Sequence, residues 1–187
     1  MLPADNLMLA LEDLKKGMPA ISAATCWFMA EAGAVCLHQN NHQCPVNLCV
    51  DGEYDLQYKL HWPDVTQEAL SSHNDPDVAA EYGACGVAML LIPRISEYTA
   101  IERSRKGTGF DYWLRMKDDV LFQSKARLEV SGIFSGDEKA LTSRCKIKLK
   151  QCAKTNEHIP GYVVVVNFGS PKARIKLRTP ITEGSLQ

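Results

Sequence analysis

Long apolar runs are missing from this chain of 187 residues. The longest covers residues 84–92 and contains a glycine, whereas a membrane-spanning helix needs roughly 18 apolar residues or more. The N-terminal residues also lack the basic and apolar regions of a signal peptide. These absences predict a protein with neither a membrane span nor a secretory leader.

A disulfide framework and a strong net charge are missing as well. The seven cysteines are an odd number without framework spacing, which favours reduced thiols and a cytoplasmic protein. The net charge of −1 gives no overall argument for binding nucleic acid. The charges are unevenly distributed, however. Bases crowd into residues 103–176 and acids dominate residues 51–81, so one face could still be positive.

Residues 1–75 contain a buried helix followed by a β-hairpin. Small and apolar residues predominate on most sides of 20–37, which is typical of a helix inside the core. Apolar and polar residues then alternate through 46–62 around Asp51-Gly52, a pair that favours hairpin turns. We expect this segment to be a helical and β-hairpin extension that wraps the remaining domain or forms a homodimer surface.

Residues 76–187 have the pattern of an α/β core. Asp75 is a suitable N-cap and Pro76 a suitable first residue for an alanine-rich helix that we expect to end before Pro93. The run of valines in 162–166 predicts a strand that is covered on both faces. The other predicted elements are strands at 97–103, 109–115 and 125–134, a helix at 138–153, and an edge strand at 173–177.

Three carboxylates occupy unusual positions in this core. Glu81 lies among small residues in the first turns of the helix, Asp111 follows a glycine-containing turn, and Glu129 interrupts an apolar strand. A buried acid is costly unless a cation pairs with it. Two acids on consecutive strands indicate a shared divalent metal with oxygen ligands. The alternative is two unrelated ion pairs with neighbouring Arg and Lys side chains.

This arrangement resembles the core of the PD-(D/E)XK, or restriction-endonuclease-like, nuclease superfamily. The order helix, strand, strand, strand, helix, strand over residues 77–168 and the motif Gly109-Phe110-Asp111 carry the resemblance. It implies an α/β fold with an αβββαβ core and a mixed central sheet. It also implies Mg²⁺- or Mn²⁺-dependent hydrolysis of DNA in prokaryotic defence or mobile-element biology. The metal ligands and catalytic acids that it implies are Asp111, Glu129 and Glu81.

The chain departs from the family motif at Ser131, where the family has a lysine two residues after the second acid. That lysine helps to position the attacking water and stabilises developing negative charge, and serine supplies no charge. Lys125 and Arg127 share a strand face with Glu129, and Lys148 lies on the following helix. We favour Lys148 as the catalytic cation, because that helix packs over the strand pair.

Four further residues are candidates for binding the substrate. Arg103 and Lys106 precede or enter the glycine turn, where bases beside an acidic metal centre suit a phosphate backbone. A solvated loop rim is the plain alternative for these two side chains. By the resemblance, Arg144 and Gln151 belong to a polar row on the helix after Glu129 that orients the substrate.

The sequence also allows a function without catalysis. The same fold could serve as a nucleic-acid-binding or protein-interaction scaffold, with the hairpin at 54–62 as a contact surface. Zinc binding by the cysteines and histidines within 36–49 is disfavoured, because this segment lacks a close C-x2-C pair and contains a predicted strand. The surroundings of Ser131 discriminate between enzyme and scaffold. A lysine or arginine that reaches the acids from another element favours the enzyme.

Overall fold

Alternating apolar residues, glycine turns and capped helices give this chain a mixed α/β fold. The computed structural model describes residues 7–118, 125–153 and 159–179, within which eight strands form one sheet. The strands are β1 (Met8–Ala10), β2 (Val46–Gly52), β3 (Leu56–His61), β4 (Tyr98–Arg103), β5 (Tyr112–Met116), β6 (Ala126–Ile133), β7 (Gly161–Asn167) and β8 (Lys172–Arg178). The α-helices are α1 (Ala23–Gln39), α2 (Gln67–Ser72), α3 (Pro76–Ile95) and α4 (Glu138–Ala153), and a 3-10 helix covers Leu11–Lys16.

The sheet has the order β1-β3-β2-β8-β7-β6-β5-β4. The pairs β6–β7, β2–β8 and β1–β3 are parallel, whereas the other neighbouring strands are antiparallel. The prediction of an α/β protein with a mixed sheet is therefore confirmed. Along the chain, α3, β4, β5, β6, α4 and β7 follow one another in the order expected for the second part.

The β2–β3 hairpin is part of this same sheet. β2 runs parallel to β8, from Cys49 opposite Lys172 to Gly52 opposite Ile175, and β3 pairs with β1. The prediction that residues 173–177 form an edge strand is therefore wrong, because the N-terminal hairpin covers that edge. The hairpin itself is confirmed, and one sheet joins residues on both sides of the expected boundary between the extension and the core.

Helix α3 lies at the centre of the fold, between α1 and the sheet. A Cβ atom at Gly83 would lie 2.7 Å from the Gly33 Cα of α1, and one at Gly132 of β6 would lie 1.9 Å from the carbonyl oxygen of Ala80. Only glycine permits these two close approaches. By length and composition α3 could cross a membrane, but here it is the core helix of a soluble-type α/β fold.

The two ends of α3 show one confirmed and one wrong expectation. The Asp75 carboxylate accepts two backbone N–H groups of the first turn, at 3.0 and 3.1 Å, so the predicted N-cap is confirmed. The helix continues past Pro93 to Ile95, although an end before the proline was expected. Pro93 lies in the last turn, where it removes one backbone donor, and the Ser96 N–H still bonds to the Ile92 carbonyl at 3.0 Å.

Helix α4 covers the opposite face of the sheet. The apolar stripe predicted for it packs on Val163 and Val165 of β7, and every residue of β7 is buried, as the valine run predicts. The α4 residues in this contact are Leu141, Cys145, Leu149 and Cys152. One flank of α4 therefore faces β6, and the other faces β8.

Candidate functional site

Asp111, the residue immediately before β5, lies opposite Glu129 of β6. The antiparallel register of β5 and β6 pairs Tyr112 with Leu128, and its next step brings Asp111 opposite Glu129, with both side chains on one face. The Asp111 N–H donates to the Leu128 carbonyl at 2.9 Å. The Asp111 carboxylate Oδ2 accepts a hydrogen bond from the Val130 N–H at 2.8 Å, in place of a backbone carbonyl of a neighbouring strand. The strand pair therefore ends at a carboxylate.

The Glu129 carboxylate is buried and paired with Lys148. Glu129 is 4% exposed, and its Oε1 lies 2.6 Å from the Lys148 Nζ on α4. Burial and the negative charge of Asp111, partly offset by Lys148, together raise the pKa of Glu129 from 4.5 to about 7. The two carboxylates are therefore close enough to repel each other, which is the electrostatic setting that a bound cation relieves.

A second basic side chain of α4 contacts Ser131. Arg144 Nη1 donates a hydrogen bond to Ser131 Oγ at 3.3 Å, one helical turn before Lys148. Arg127, considered as an alternative cation, instead donates to the backbone carbonyls of Cys152 and Ile159 at 3.3 and 2.7 Å. The two cations that these contacts place beside Glu129 and Ser131 of β6 are Lys148 and Arg144, and both belong to helix α4.

Two neighbouring cavities lie at this point. A small one of about 100 Å³ is lined by Glu81, Asp111 and Lys148, together with Arg103 of β4. A larger cleft of about 570 Å³ shares Asp111 and Arg103 with it. The cleft is further lined by Glu129, Lys106 and Gln151. The structure thus brings seven of the eight candidate residues to one place, and Arg144 adjoins them through Ser131.

The loop at 104–111 forms the basic wall of the cleft. Its neck is closed by a hydrogen bond from the Ser104 N–H to the Asp111 carbonyl at 2.7 Å. Gly107 and Gly109 have positive φ angles of 95° and 79°, which turn the chain back on itself. Strand β5 consequently begins at Tyr112 rather than at residue 109 as expected. The turn presents Arg105 and Lys106 to the cleft.

Tyr82 and Cys85 line the small cavity but were not predicted from the sequence. The available signal was helical spacing, since Cys85 lies four residues after Glu81 on the same face of α3. Burial, with a contribution from the charge of Asp111, raises the pKa of Cys85 to about 12. Its thiol therefore stays protonated near neutral pH, so it is suited to packing rather than to nucleophilic attack.

The described residues provide no metal site complete in itself. Among them, no three His, Cys, Asp or Glu side chains come together closely enough to hold an ion. Two residues of the zinc alternative have other partners. His42 Nε2 lies 2.8 Å from the Phe168 carbonyl oxygen, and Cys44 Sγ accepts the Trp62 N–H at 3.4 Å. Any metal at the Asp111–Glu129 pair would therefore complete its coordination with water or substrate oxygens.

Known proteins offer no further guide to this arrangement. No family model, curated protein or solved structure matches the chain.

Proposed function

We propose that this protein is a metal-dependent nuclease with a restriction-endonuclease-like core that hydrolyses phosphodiester bonds in DNA. The observation that carries the proposal is the pair of Asp111, immediately before β5, and Glu129 of β6, with Lys148 Nζ 2.6 Å from Glu129 Oε1. The order of elements from α3 to β7, with β6 and β7 parallel, also supports it. The protein is proposed to act in the cytoplasm, in keeping with seven cysteines that are all free.

The donor set suits Mg²⁺ or Mn²⁺. Mg²⁺ is commonly held by one or two carboxylates and otherwise by water and substrate phosphate oxygens. Asp111 and Glu129 would supply the two carboxylates and leave the other coordination positions to water and substrate. Glu81, an exposed acid of α3, lines the small cavity next to Asp111 and would act through a bound water. When bound, the ion supplies Lewis-acid activation of water and of the phosphoryl group.

The basic residues have separate tasks in this proposal. Lys148 places a positive charge beside the acids, where it stabilises the negative charge that develops during phosphodiester hydrolysis. Arg103 and Lys106 line the large cleft and would hold the phosphate backbone, whereas Gln151 and Arg144 would orient the strand to be cut. Because protons compete with metal for Glu129, metal binding should weaken as the pH falls below about 7.

Cleavage of a DNA panel with and without metal tests the proposal. Single-stranded, duplex and supercoiled DNA are incubated with Mg²⁺, Mn²⁺ or EDTA, and the wild type is compared with Asp111→Asn. Asn keeps an oxygen that can accept the Val130 N–H, so the fold should persist. Metal-dependent cleavage should fall by about 100-fold or more, because one ligand charge is lost.

Asp64→Asn, in an exposed acidic position outside both cavities, is the matched control and should cleave normally. Undiminished cleavage by Asp111→Asn would disprove the assignment. DNA binding without cleavage in any metal would instead support an inactive, nucleic-acid-binding form of the same fold, which is the alternative proposal.

A further inference from the structure

A separate cavity of about 430 Å³ lies along the flank of α4 that faces away from the proposed catalytic site. The α4 residues that line it include Thr142, Lys146 and Leu149, whereas Lys148 and Gln151 line the cavities of the catalytic site. Across from the helix, β8 contributes Arg174 to the wall. The volume is within the range of roughly 300–1,000 Å³ that is usual for small-molecule sites.

One wall of this cavity is a charged network that is already balanced. The Arg174 guanidinium donates to both carboxylate oxygens of Asp51, at 2.7 and 2.6 Å, and to Thr142 Oγ1 at 2.9 Å. It also pairs with Glu138, whose other oxygen lies 3.0 Å from Lys172 Nζ. The negative charges of Asp51 and Glu138 are thus balanced by the positive charges of Arg174 and Lys172. The network fixes the shape of the wall without providing a free charge.

The rim adds positive charge that the network does not neutralise. Lys146 is exposed and makes no ion pair or hydrogen bond with the residues that the structure describes. Lys176 lies 3.4 Å from Glu53, but both side chains are more than a third exposed, so this pair contributes little. The two ammonium groups are therefore available to an anion.

The remaining wall is apolar. Cys145 is 4% exposed, Leu149 is half-buried, and both line the cavity. Burial raises the pKa of the Cys145 thiol to about 11, so it is neutral near pH 7 and behaves as a small apolar group. An apolar wall, together with the unpaired Lys146 and the weakly paired Lys176, suits an amphipathic anion better than an inorganic ion.

We propose that this cavity binds a small organic anion. The apolar body of the ligand packs on Leu149 and Cys145, and its carboxylate lies between Lys146 and Lys176. This inference does not depend on the proposed nuclease activity, because the site shares no residue with the two catalytic cavities.

An NMR titration of the full ¹⁵N-labelled chain with 1-naphthoate tests the proposal. Amide shifts should concentrate at 142–149 and 174–176. The uncharged analogue 1-naphthamide should bind about tenfold more weakly or not at all, because it forms no charge-assisted contact with the lysines.

Variants of the rim lysines separate this site from adventitious binding. Lys146→Ala and Lys176→Ala should each weaken naphthoate binding by about tenfold. Lys150→Ala, an exposed lysine of the same helix outside the cavity, should leave it unchanged. Shifts that map elsewhere, equal binding of the amide, or binding unaffected by both lysine variants would overturn the proposal.

Discussion

We expect the charged Glu129 carboxylate to lower the free energy of unfolding, although it is a proposed metal ligand. Its pKa is raised from 4.5 to about 7 in the folded state, so the folded protein holds this proton more tightly than the unfolded chain. The free energy of unfolding should therefore decrease as the pH rises from about 4.5 to 7 and level off above 7. The decrease in the free energy of unfolding is largest when the Glu129 carboxylate is fully charged.

Glu129→Gln should remove this dependence on pH. At pH 8 we expect the variant to be more stable than the wild type by about 3 kcal/mol, and near pH 4.5 the two should be similar. Urea denaturation at both pH values measures the difference, with the exposed Glu102→Gln as the control. The same variant should lose metal-dependent cleavage. A variant less stable than the wild type at pH 8 would contradict the argument.

Lys148 offers a second test at the level of a single residue. Lys148→Met keeps most of the apolar stem but removes the charge that lies 2.6 Å from Glu129, so the rate of DNA cleavage should fall by about 100-fold. Lys150→Met, two residues further along the helix and exposed, should retain the wild-type rate. Full activity of Lys148→Met would mean that another side chain supplies the cation.

The residues of the site differ in how far the sequence can predict them. Asp111 and Glu129 are visible because a carboxylate within or beside an apolar strand is rare and costly. Tyr82 has no such signal, since an aromatic residue on an apolar helix is usually part of the core. Its position beside the acids depends on how α3 crosses the sheet, which no local pattern in the sequence contains.

Among the elements, the crossing of α3 over β6 is the most sensitive to a small change. A Cβ atom at Gly132 would lie 1.9 Å from the Ala80 carbonyl oxygen, a backbone atom that cannot move without shifting the helix. Gly132→Ala should therefore destabilise the protein by about 3 kcal/mol or more. Gly136→Ala is the control, because its nearest neighbour is a side-chain atom, Ile133 Cγ2 at 2.9 Å, rather than a backbone atom.

Chemical denaturation monitored by circular dichroism compares these two glycine variants. We expect a much smaller loss for Gly136→Ala, since a side chain can rotate away from the added methyl group. Equal losses for the two variants would mean that the backbone at the crossing can relax.

Most elements were predictable because their signals are local. The capped start of α3, the apolar stripe of α4 and the valine run of β7 each lie within one short stretch of sequence. The position of β8 was not predictable, because its neighbour β2 lies far away along the chain. Its alternating pattern fits an edge strand and an interior strand equally well.

For the whole molecule, the shared sheet predicts that residues 76–187 will not fold well alone. Removal of residues 1–75 would uncover β8 along its full pairing with β2 and expose the face of α3 that packs on α1. An unpaired strand edge is a template for aggregation. We expect the truncated chain to elute as aggregates in size-exclusion chromatography and to lack a cooperative thermal transition.

Asp51→Asn in the full chain is the control for this truncation, because it weakens the link to Arg174 while leaving β2 in place. This variant should remain folded with a modestly lower melting temperature. A monomeric, cooperatively unfolding fragment of residues 76–187 would show that the first part of the chain is dispensable.

The pairing of β2 with β8 also determines when the protein can fold during synthesis. Asp51 and Arg174, which join these strands, are 123 residues apart, so the hairpin leaves the ribosome long before its partner exists. Contacts of such long range form slowly, and the waiting strand is exposed to other nascent chains. Chaperones that shield the emerging hairpin should therefore raise the yield of native protein, whereas protection of the last residues alone should have little effect.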